Sequence, residues 1–124
     1  MGKQENMQAS KQAYEDFGKG DLEAVMSVID DDVEWIVPGE SAVSGTYSGK
    51  QQVQEFFGKL AEKSFQTLPE HWLSEGEMIV VLTHWKMDGG EADAADTSTW
   101  RDGKIVKFQS AGDTALFERV FGKK

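Results

Sequence analysis

Residues 78–111 read MIVVLTHWKMDGGEADAADTSTWRDGKIVKFQSA and have a side-chain pattern with a period of two. This period is typical of β-strands, in which successive side chains point to opposite faces of the sheet. The pattern predicts three strands, at Met78 to Met87, Ala92 to Arg101 and Lys104 to Ala111. The Gly89-Gly90 pair and the Asp102-Gly103 dipeptide between them are typical of hairpin turns, so the strands are expected to form an antiparallel meander.

Helical patterns dominate the chain before this stretch. Helices are predicted from about Gln4 to Lys19 and from Asp21 to the acidic run Asp30 to Asp32. Ser48-Gly49-Lys50-Gln51 has the Ser-x-x-Gln form of a capping box and predicts the start of a third helix. The apolar residues of this third helix recur at helical spacing, as Val53, Phe56, Phe57 and Leu60.

Three further elements complete the predicted order. Val33 to Val37 alternates and ends at Pro38-Gly39, so it is predicted to be a strand, and so is Phe65 to Ser74. Thr114 to Phe121 is predicted to be a short closing helix. This order predicts an α+β fold: a curved antiparallel sheet with about three helices from the N-terminal half on its concave face. The sheet and helices are expected to form a cone that can enclose a cavity.

Length and charge restrict the class of protein. The 124 residues carry no linker or repeat, so one domain spanning residues 1–124 is expected. A net charge of -9 would repel nucleic acid and an anionic membrane surface, so neither is an expected partner. The chain has no cysteine, no apolar run long enough to span a membrane and no apolar leader in MGKQENMQAS. A cytoplasmic location is therefore expected.

Asp96 is the first candidate for chemistry. Alternation in ADTSTWRDG places Asp96, Ser98 and Trp100 on one face of a strand, and Trp100 is expected to mark the buried side. Burial would disfavour the charged form of Asp96 and raise its pKa toward the range useful for proton transfer. The alternative is a half-exposed strand in which Asp96 is an edge charge near Asp93.

Asp113 is the second candidate and also has two interpretations. It follows the last predicted strand and precedes TALF, where an aspartate is a good N-cap for the closing helix. It could instead point into the cavity as a base. The two roles coexist only in part, because a carboxylate that accepts backbone hydrogen bonds becomes a poorer base.

The remaining candidates would bind a ligand. Two histidines, His71 and His84, without cysteine or a His-Glu-x-x-His spacing, do not predict a metal site. His84 is opposite in phase to Trp85, so only one of them can face the cavity. A packed or interfacial role is favoured for His84, with a general acid or base as the alternative. The aromatic residues Trp35, Trp100 and Phe108 are expected to form the wall, and Tyr14 to offer a phenol hydrogen bond.

Three longer stretches carry a family resemblance. YEDFGKGDLEAVMSVIDDDVEWIVPG, GTYSGKQQVQEFF and WRDGKIVKFQSAGDTA together resemble the SnoaL-like polyketide cyclase branch of the nuclear transport factor 2-like superfamily, which also holds ketosteroid isomerase. The resemblance extends from about Tyr14 to Phe121. It implies a cone-shaped, cystatin-like α+β barrel with a hydrophobic cavity, and a homodimer joined through the outer sheet face.

The resemblance also implies roles for the two carboxylates. Asp113 matches the acid/base of the cyclases, and Asp96 matches a protonated aspartic acid that holds an oxyanion in ketosteroid isomerase, where the apolar surroundings of that acid raise its pKa. The chain departs from ketosteroid isomerase where that enzyme has its proton-shuttling aspartate, because Ile36 or Val37 stands there. Steroid isomerisation is therefore not expected.

These observations lead to two hypotheses. In the first, the protein binds a small hydrophobic carbonyl compound and moves a proton next to the carbonyl, with Asp113 as base and Asp96 as hydrogen-bonding acid. Ser98 and His84 complete the candidate ligand contacts. No cofactor is expected, because enolate chemistry can proceed with a positioned base and a hydrogen-bond donor. In the second, the protein is a non-catalytic ligand-binding or accessory protein of the same fold.

Overall fold

A computed structural model describes residues 2–124 and contains the predicted helices and strands in their predicted order, with one additional strand. The helices are α1 (Lys3–Gly18), α2 (Leu22–Ser27), α3 (Lys50–Glu62) and α4 (Thr114–Phe121). The strands are β1 (Ile29–Val37), β2 (Gly45–Ser48), β3 (Gln66–Glu75), β4 (Met78–Met87), β5 (Gly90–Arg101) and β6 (Lys104–Gly112). The α+β class is confirmed.

The strands form one open, six-stranded sheet in the order β2-β1-β6-β5-β4-β3. Strands β3 to β6 are the predicted antiparallel meander. Strand β1 pairs with β6 in parallel and places Trp35 beside Phe108, while its other edge pairs with β2 in antiparallel. The parallel pair brings the N-terminal half of the chain against the last strand, so the two halves share one sheet.

The helices and one face of the sheet enclose a common core. Helix α3 buries the four apolar residues predicted from its spacing, Val53, Phe56, Phe57 and Leu60. Helix α4 buries Leu116 and Phe117. Because α3 and α4 belong to the same core cluster as the inward residues of β1, β4, β5 and β6, that face of the sheet carries the interior. We refer to it as the inner face.

Two local predictions are corrected. The run Asp30 to Asp32 does not end a helix; it lies in β1, which begins at Ile29 opposite Ile105 of β6. Sheet pairing therefore overrides the helical spacing after Ser27.

The capping box is also wrong in register. Gly49 is the N-cap of α3 and offers no side chain, while the backbone N–H of Ser48 donates to Oε1 of Gln52 at 2.8 Å. The segment Gly45–Ser48 is an edge strand that the sequence did not predict. Pro69 lies inside β3, where the register shifts between Pro69 and His71, because proline is tolerated in strands at edges and bulges.

Within residues 2–124, no helix is long and apolar enough to cross a membrane.

Candidate functional site

A cavity of about 100 Å³ lies between the inner face of the sheet and the helices. Its wall is mostly apolar, and the residues with polar side chains that line it are Tyr14, Thr67, Asp96, Ser110, Asp113 and Thr114. Ligand pockets commonly have volumes of roughly 300–1,000 Å³. The cavity therefore suits a small molecule, and a larger ligand requires wall side chains to move.

Stacked aromatic rings form one wall of the cavity. Trp35 and Phe108 are stacked with centroids 3.8 Å apart and planes 12° apart, as the β1–β6 register requires. The ring of Phe57 meets Trp35 edge-on, with 5.3 Å between centroids. Stacked and edge-on contacts are the favoured arrangements of aromatic rings, so each ring of this wall stabilises the orientation of its neighbour.

Glycine is required at another point of the cavity wall. A Cβ atom at Gly112 would lie 2.8 Å from Cζ3 of Trp85 and 3.1 Å from Cβ of Ala94. The absence of a side chain allows the Trp85 ring to lie against the backbone of β6. Trp85 and Gly112 both line the cavity.

Asp96 is the buried carboxylate of the site, with 4% of its surface exposed. The phenol of Tyr14 donates a hydrogen bond to Oδ2 at 2.5 Å, and the hydroxyl of Ser110 donates to Oδ1 at 3.0 Å. Ser110 is the direct partner of Asp96 in the β5–β6 register. Helix α1 supplies Tyr14, whose ring meets Trp72 of β3 edge-on at 5.2 Å between centroids.

Burial shifts the pKa values of both partners upward. Removal from water raises the pKa of Asp96 to about 6, although the hydrogen bonds from Tyr14 and Ser110 lower it in part. Burial, followed by the charge of Asp96, raises the pKa of Tyr14 well above 10.0. At neutral pH the carboxyl of Asp96 is mainly ionised and the phenol is protonated. The pair thus combines a proton acceptor, Asp96, whose pKa lies close to neutral pH, with a hydrogen-bond donor, Tyr14.

Asp113 is both the N-cap of α4 and a residue that lines the cavity. Its Oδ1 accepts a hydrogen bond from the backbone N–H of Leu116 at 3.2 Å, so it is the N-cap of α4. It also lines the cavity, although the residue is exposed. The carboxylate therefore lies at a solvent-accessible rim and not in the buried part of the cavity.

The structure brings five of the eight candidate residues to the cavity and leaves three elsewhere. Asp96, Asp113, Trp35, Phe108 and Tyr14 line it. Ser98 and Trp100 share the inner face with Asp96, as predicted, but lie in the core beyond the cavity, where Nε1 of Trp100 donates to Oγ of Ser98 at 2.9 Å. The placement of these two residues in the ligand wall is therefore corrected.

The assignment of His84 as a ligand contact is also corrected, because His84 lies on the outer face of the sheet. Its Nδ1 and Nε2 lie 2.8 Å from carboxylate oxygens of Asp93 and Glu91, respectively. These two hydrogen bonds raise the pKa of His84. Trp85, the next residue, takes the inward position. Among residues 2–124 no group of three His, Asp or Glu side chains is arranged to hold a metal ion.

Sequence reasoning missed Ser110 as a partner of Asp96. The alternation of Phe108, Ser110 and Gly112 along β6 places all three on the inner face, and Phe108 was already assigned to the cavity. Extending that alternation by two residues would have found Ser110. Val37, one of the two residues that the resemblance sets against a carboxylate of ketosteroid isomerase, is buried and lines the cavity with an apolar side chain.

The family model described as SnoaL-like domain matches residues 11–108, most of the chain and most of the cavity wall. The chain belongs to the SnoaL-like domain family. None of the curated proteins matches the sequence significantly.

Solved structures agree with the SnoaL-like assignment. An NTF2-like protein of Burkholderia pseudomallei is 26% identical with a TM-score of 0.86, and the alignment covers 94% of this chain and 97% of that one. An NTF2-like protein of Burkholderia xenovorans is 27% identical with a TM-score of 0.83 and 98% of both chains covered. TerC, in a crystal structure with polyporic acid, is 24% identical with a TM-score of 0.84 and with 94% and 98% covered. This SnoaL-like chain therefore has the NTF2-like fold over nearly its whole length.

Proposed function

We propose that this protein binds a small hydrophobic carbonyl compound in the cavity and transfers a proton at the carbon next to the carbonyl, without a cofactor. The observation that supports this most directly is the Tyr14–Asp96 pair: a buried carboxylate with a pKa of about 6 that accepts a phenol hydrogen bond inside an apolar cavity. A base with a pKa near the working pH is efficient in general acid–base catalysis. The apolar wall would hold the body of the substrate.

We assign the base to Asp96 and leave Asp113 as a rim residue. Asp113 already accepts a backbone hydrogen bond and is exposed to water. Its carboxylate already has a structural role as the N-cap of α4, in contact with water at the rim of the cavity. Asp96 is desolvated, which destabilises its charged form and makes proton uptake easier.

The proposed step uses the phenol and the carboxylate in sequence. The carboxylate of Asp96 takes a proton from the α-carbon, and the C–H electron pair moves to form an enolate whose charge lies on the carbonyl oxygen. The phenol of Tyr14 turns from Asp96 to donate to that oxygen. Because the Tyr14 hydrogen bond lowers the pKa of Asp96, its loss strengthens the base at the moment of transfer. The protonated Asp96 then returns the proton to the same or to another carbon.

Deuterium exchange tests this proposal. The protein is incubated in deuterium oxide with one-ring ketones such as acetophenone and phenylacetone, and incorporation at the α-carbon is followed by NMR. We expect saturable exchange whose kcat/KM rises with pH and levels off above about 6, because the base must be ionised to act. Exchange no faster than in buffer, or a profile without an inflection in this region, would contradict the assignment.

The variant Tyr14→Phe provides the control for this profile. It removes a hydrogen bond that stabilises the ionised carboxylate, so the inflection should move to higher pH and the maximal rate should fall. A structural role alone would lower stability without moving the inflection.

Non-catalytic binding is the second candidate function. Both oxygens of Asp96 already accept hydrogen bonds in this structure, as expected of a carboxylate held in place for binding alone. TerC, whose fold is similar to that of this protein, was co-crystallised with polyporic acid. Compounds that raise the melting temperature by mass action and show no exchange would favour this candidate.

We further propose a homodimer through the outer face of the sheet. Large exposed apolar side chains lie on β3 and β4, namely Leu68, Leu73, Met78 and Leu82. Leu73 and Leu82 alternate with the inward residues Trp72 and Val81, so they point away from the cavity. Such a patch is typical of an interaction surface.

Light scattering of the purified protein tests the dimer. The double variant Leu73→Lys with Leu82→Lys should raise the dimer dissociation constant by about tenfold or more, because it places charges in an apolar contact. The variant Ala61→Lys, at an exposed position of α3, should leave it unchanged. A wild-type chain that is monomeric at all measured concentrations would contradict the proposal.

A further inference from the structure

The charges that line the cavity all have the same sign. Its ionisable carboxyl groups are Asp96 and Asp113, and within residues 2–124 no Lys, Arg or His side chain lines it. Buried carboxylates in proteins are normally paired with a cation. The described partners of Asp96 are the hydroxyls of Tyr14 and Ser110, which are neutral. The cavity therefore provides a buried negative charge without a balancing positive one.

The carboxylate of Asp96 has unused acceptor capacity. An ionised carboxylate offers about four lone-pair positions on its two oxygens. Tyr14 occupies one position on Oδ2 and Ser110 one on Oδ1. An N–H group in the cavity could occupy a remaining position without displacing either hydroxyl. A charged donor would bind more strongly than a neutral one, because it also offsets the desolvated charge.

Aromatic rings form much of the remaining wall. Tyr14, Phe17, Trp35, Phe57 and Phe108 line the same cavity as Asp96. Aromatic rings attract cations through the negative charge density of their faces, in addition to the apolar contact they provide. The net charge of -9 on the whole chain also favours the approach of a cation over that of an anion.

We infer that the cavity binds hydrophobic ammonium ions, in which a protonated amine donates to the Asp96 carboxylate and an apolar body of about one ring lies against the aromatic wall. The inference goes beyond the proposed proton transfer, because it concerns the charge of the ligand and requires no turnover. An amine bound in this way occupies the proposed base and competes with a carbonyl substrate.

A matched pair of small probes tests the inference. Binding of benzylamine and of benzyl alcohol is measured near neutral pH by calorimetry; the two have similar shape and differ in charge. We expect benzylamine to bind about tenfold or more tightly than benzyl alcohol, since hydrogen bonds to charged groups are stronger by this order. Benzoate, of the opposite charge, should bind more weakly than the alcohol. Equal affinity for the amine and the alcohol would overturn the inference.

Three variants identify the carboxylate responsible. Asp96→Asn should abolish the preference for the amine and retain binding of the alcohol. Asp102→Asn, in the exposed turn between β5 and β6, makes the same change in net charge outside the cavity and should retain the preference. Loss of the preference in Asp113→Asn with retention in Asp96→Asn would overturn the inference, because the rim would then bind the amine. These binding measurements are independent of deuterium exchange, so the inference and the proposed function can fail separately.

Discussion

Substitution of Asp96 by asparagine (Asp96→Asn) is expected to lower kcat/KM for α-proton exchange by about 10²- to 10⁴-fold, the usual contribution of a general base. The same variant is expected to be more stable than the wild type at about pH 8. Burial raises the pKa of Asp96 from 3.8 to about 6, so its ionisation destabilises the fold by about 3 kcal/mol. Asparagine is neutral at all pH values and can still accept the Tyr14 hydrogen bond. Loss of activity with a gain in stability is typical of a functional group held in an unfavourable environment.

The pH dependence of this gain follows from the direction of the pKa shift. Because the folded-state pKa is raised, the contribution of Asp96 to stability is fully present below about pH 3 and is lost as pH rises from there through about 6. The difference in free energy of unfolding between the variant and the wild type should therefore be about 3 kcal/mol larger at pH 8 than at about pH 3, as measured in urea. Asp102→Asn should show no such difference, because the residue is exposed. A variant less stable at pH 8 than the wild type would mean that Asp96 is stabilised as an ion.

The fold could be predicted because several of its elements have a clear side-chain pattern. Strand β4 and helix α4 occur with the predicted bounds, Met78–Met87 and Thr114–Phe121. The errors occur where a long-range contact decides the local structure. Ile29 follows helical spacing from α2 but pairs with Ile105, and this pairing is visible only when β6 is in place. Edge strand β2 is short and half exposed, so its sequence has little periodicity.

The candidate site could be predicted only in part, for the same physical reason. Strand alternation alone placed Asp96 on a buried face, and its burial confirms this. Its contact with Tyr14 joins residues 82 positions apart and depends on how α1 lies over the sheet. Alternation also cannot tell which inward residues reach a cavity and which fill the core, and this is why Ser98 and Trp100 were assigned to the wall.

Trp100 should therefore contribute to stability and not to ligand binding. It has 0% exposure, and its indole N–H donates to Ser98. Trp100→Ala is expected to lower the free energy of unfolding by about 3–5 kcal/mol, because it removes a large buried ring and leaves a void. The affinity of the folded variant for phenylacetone should change by less than about threefold, since a ring that does not line the cavity makes no contact with its ligand.

Trp35→Ala is the matched comparison, because Trp35 is buried to a similar degree but lines the cavity. It should show a comparable loss of stability in urea, because it also removes a large buried ring. In addition, its affinity for phenylacetone should fall by about tenfold or more, since it removes one ring of the stacked wall. Equal changes in affinity for the two variants, measured under conditions where both are folded, would show that the cavity and the core behind it respond as one unit. Unequal changes would separate the wall, at Trp35 and Phe108, from the tryptophan in the core.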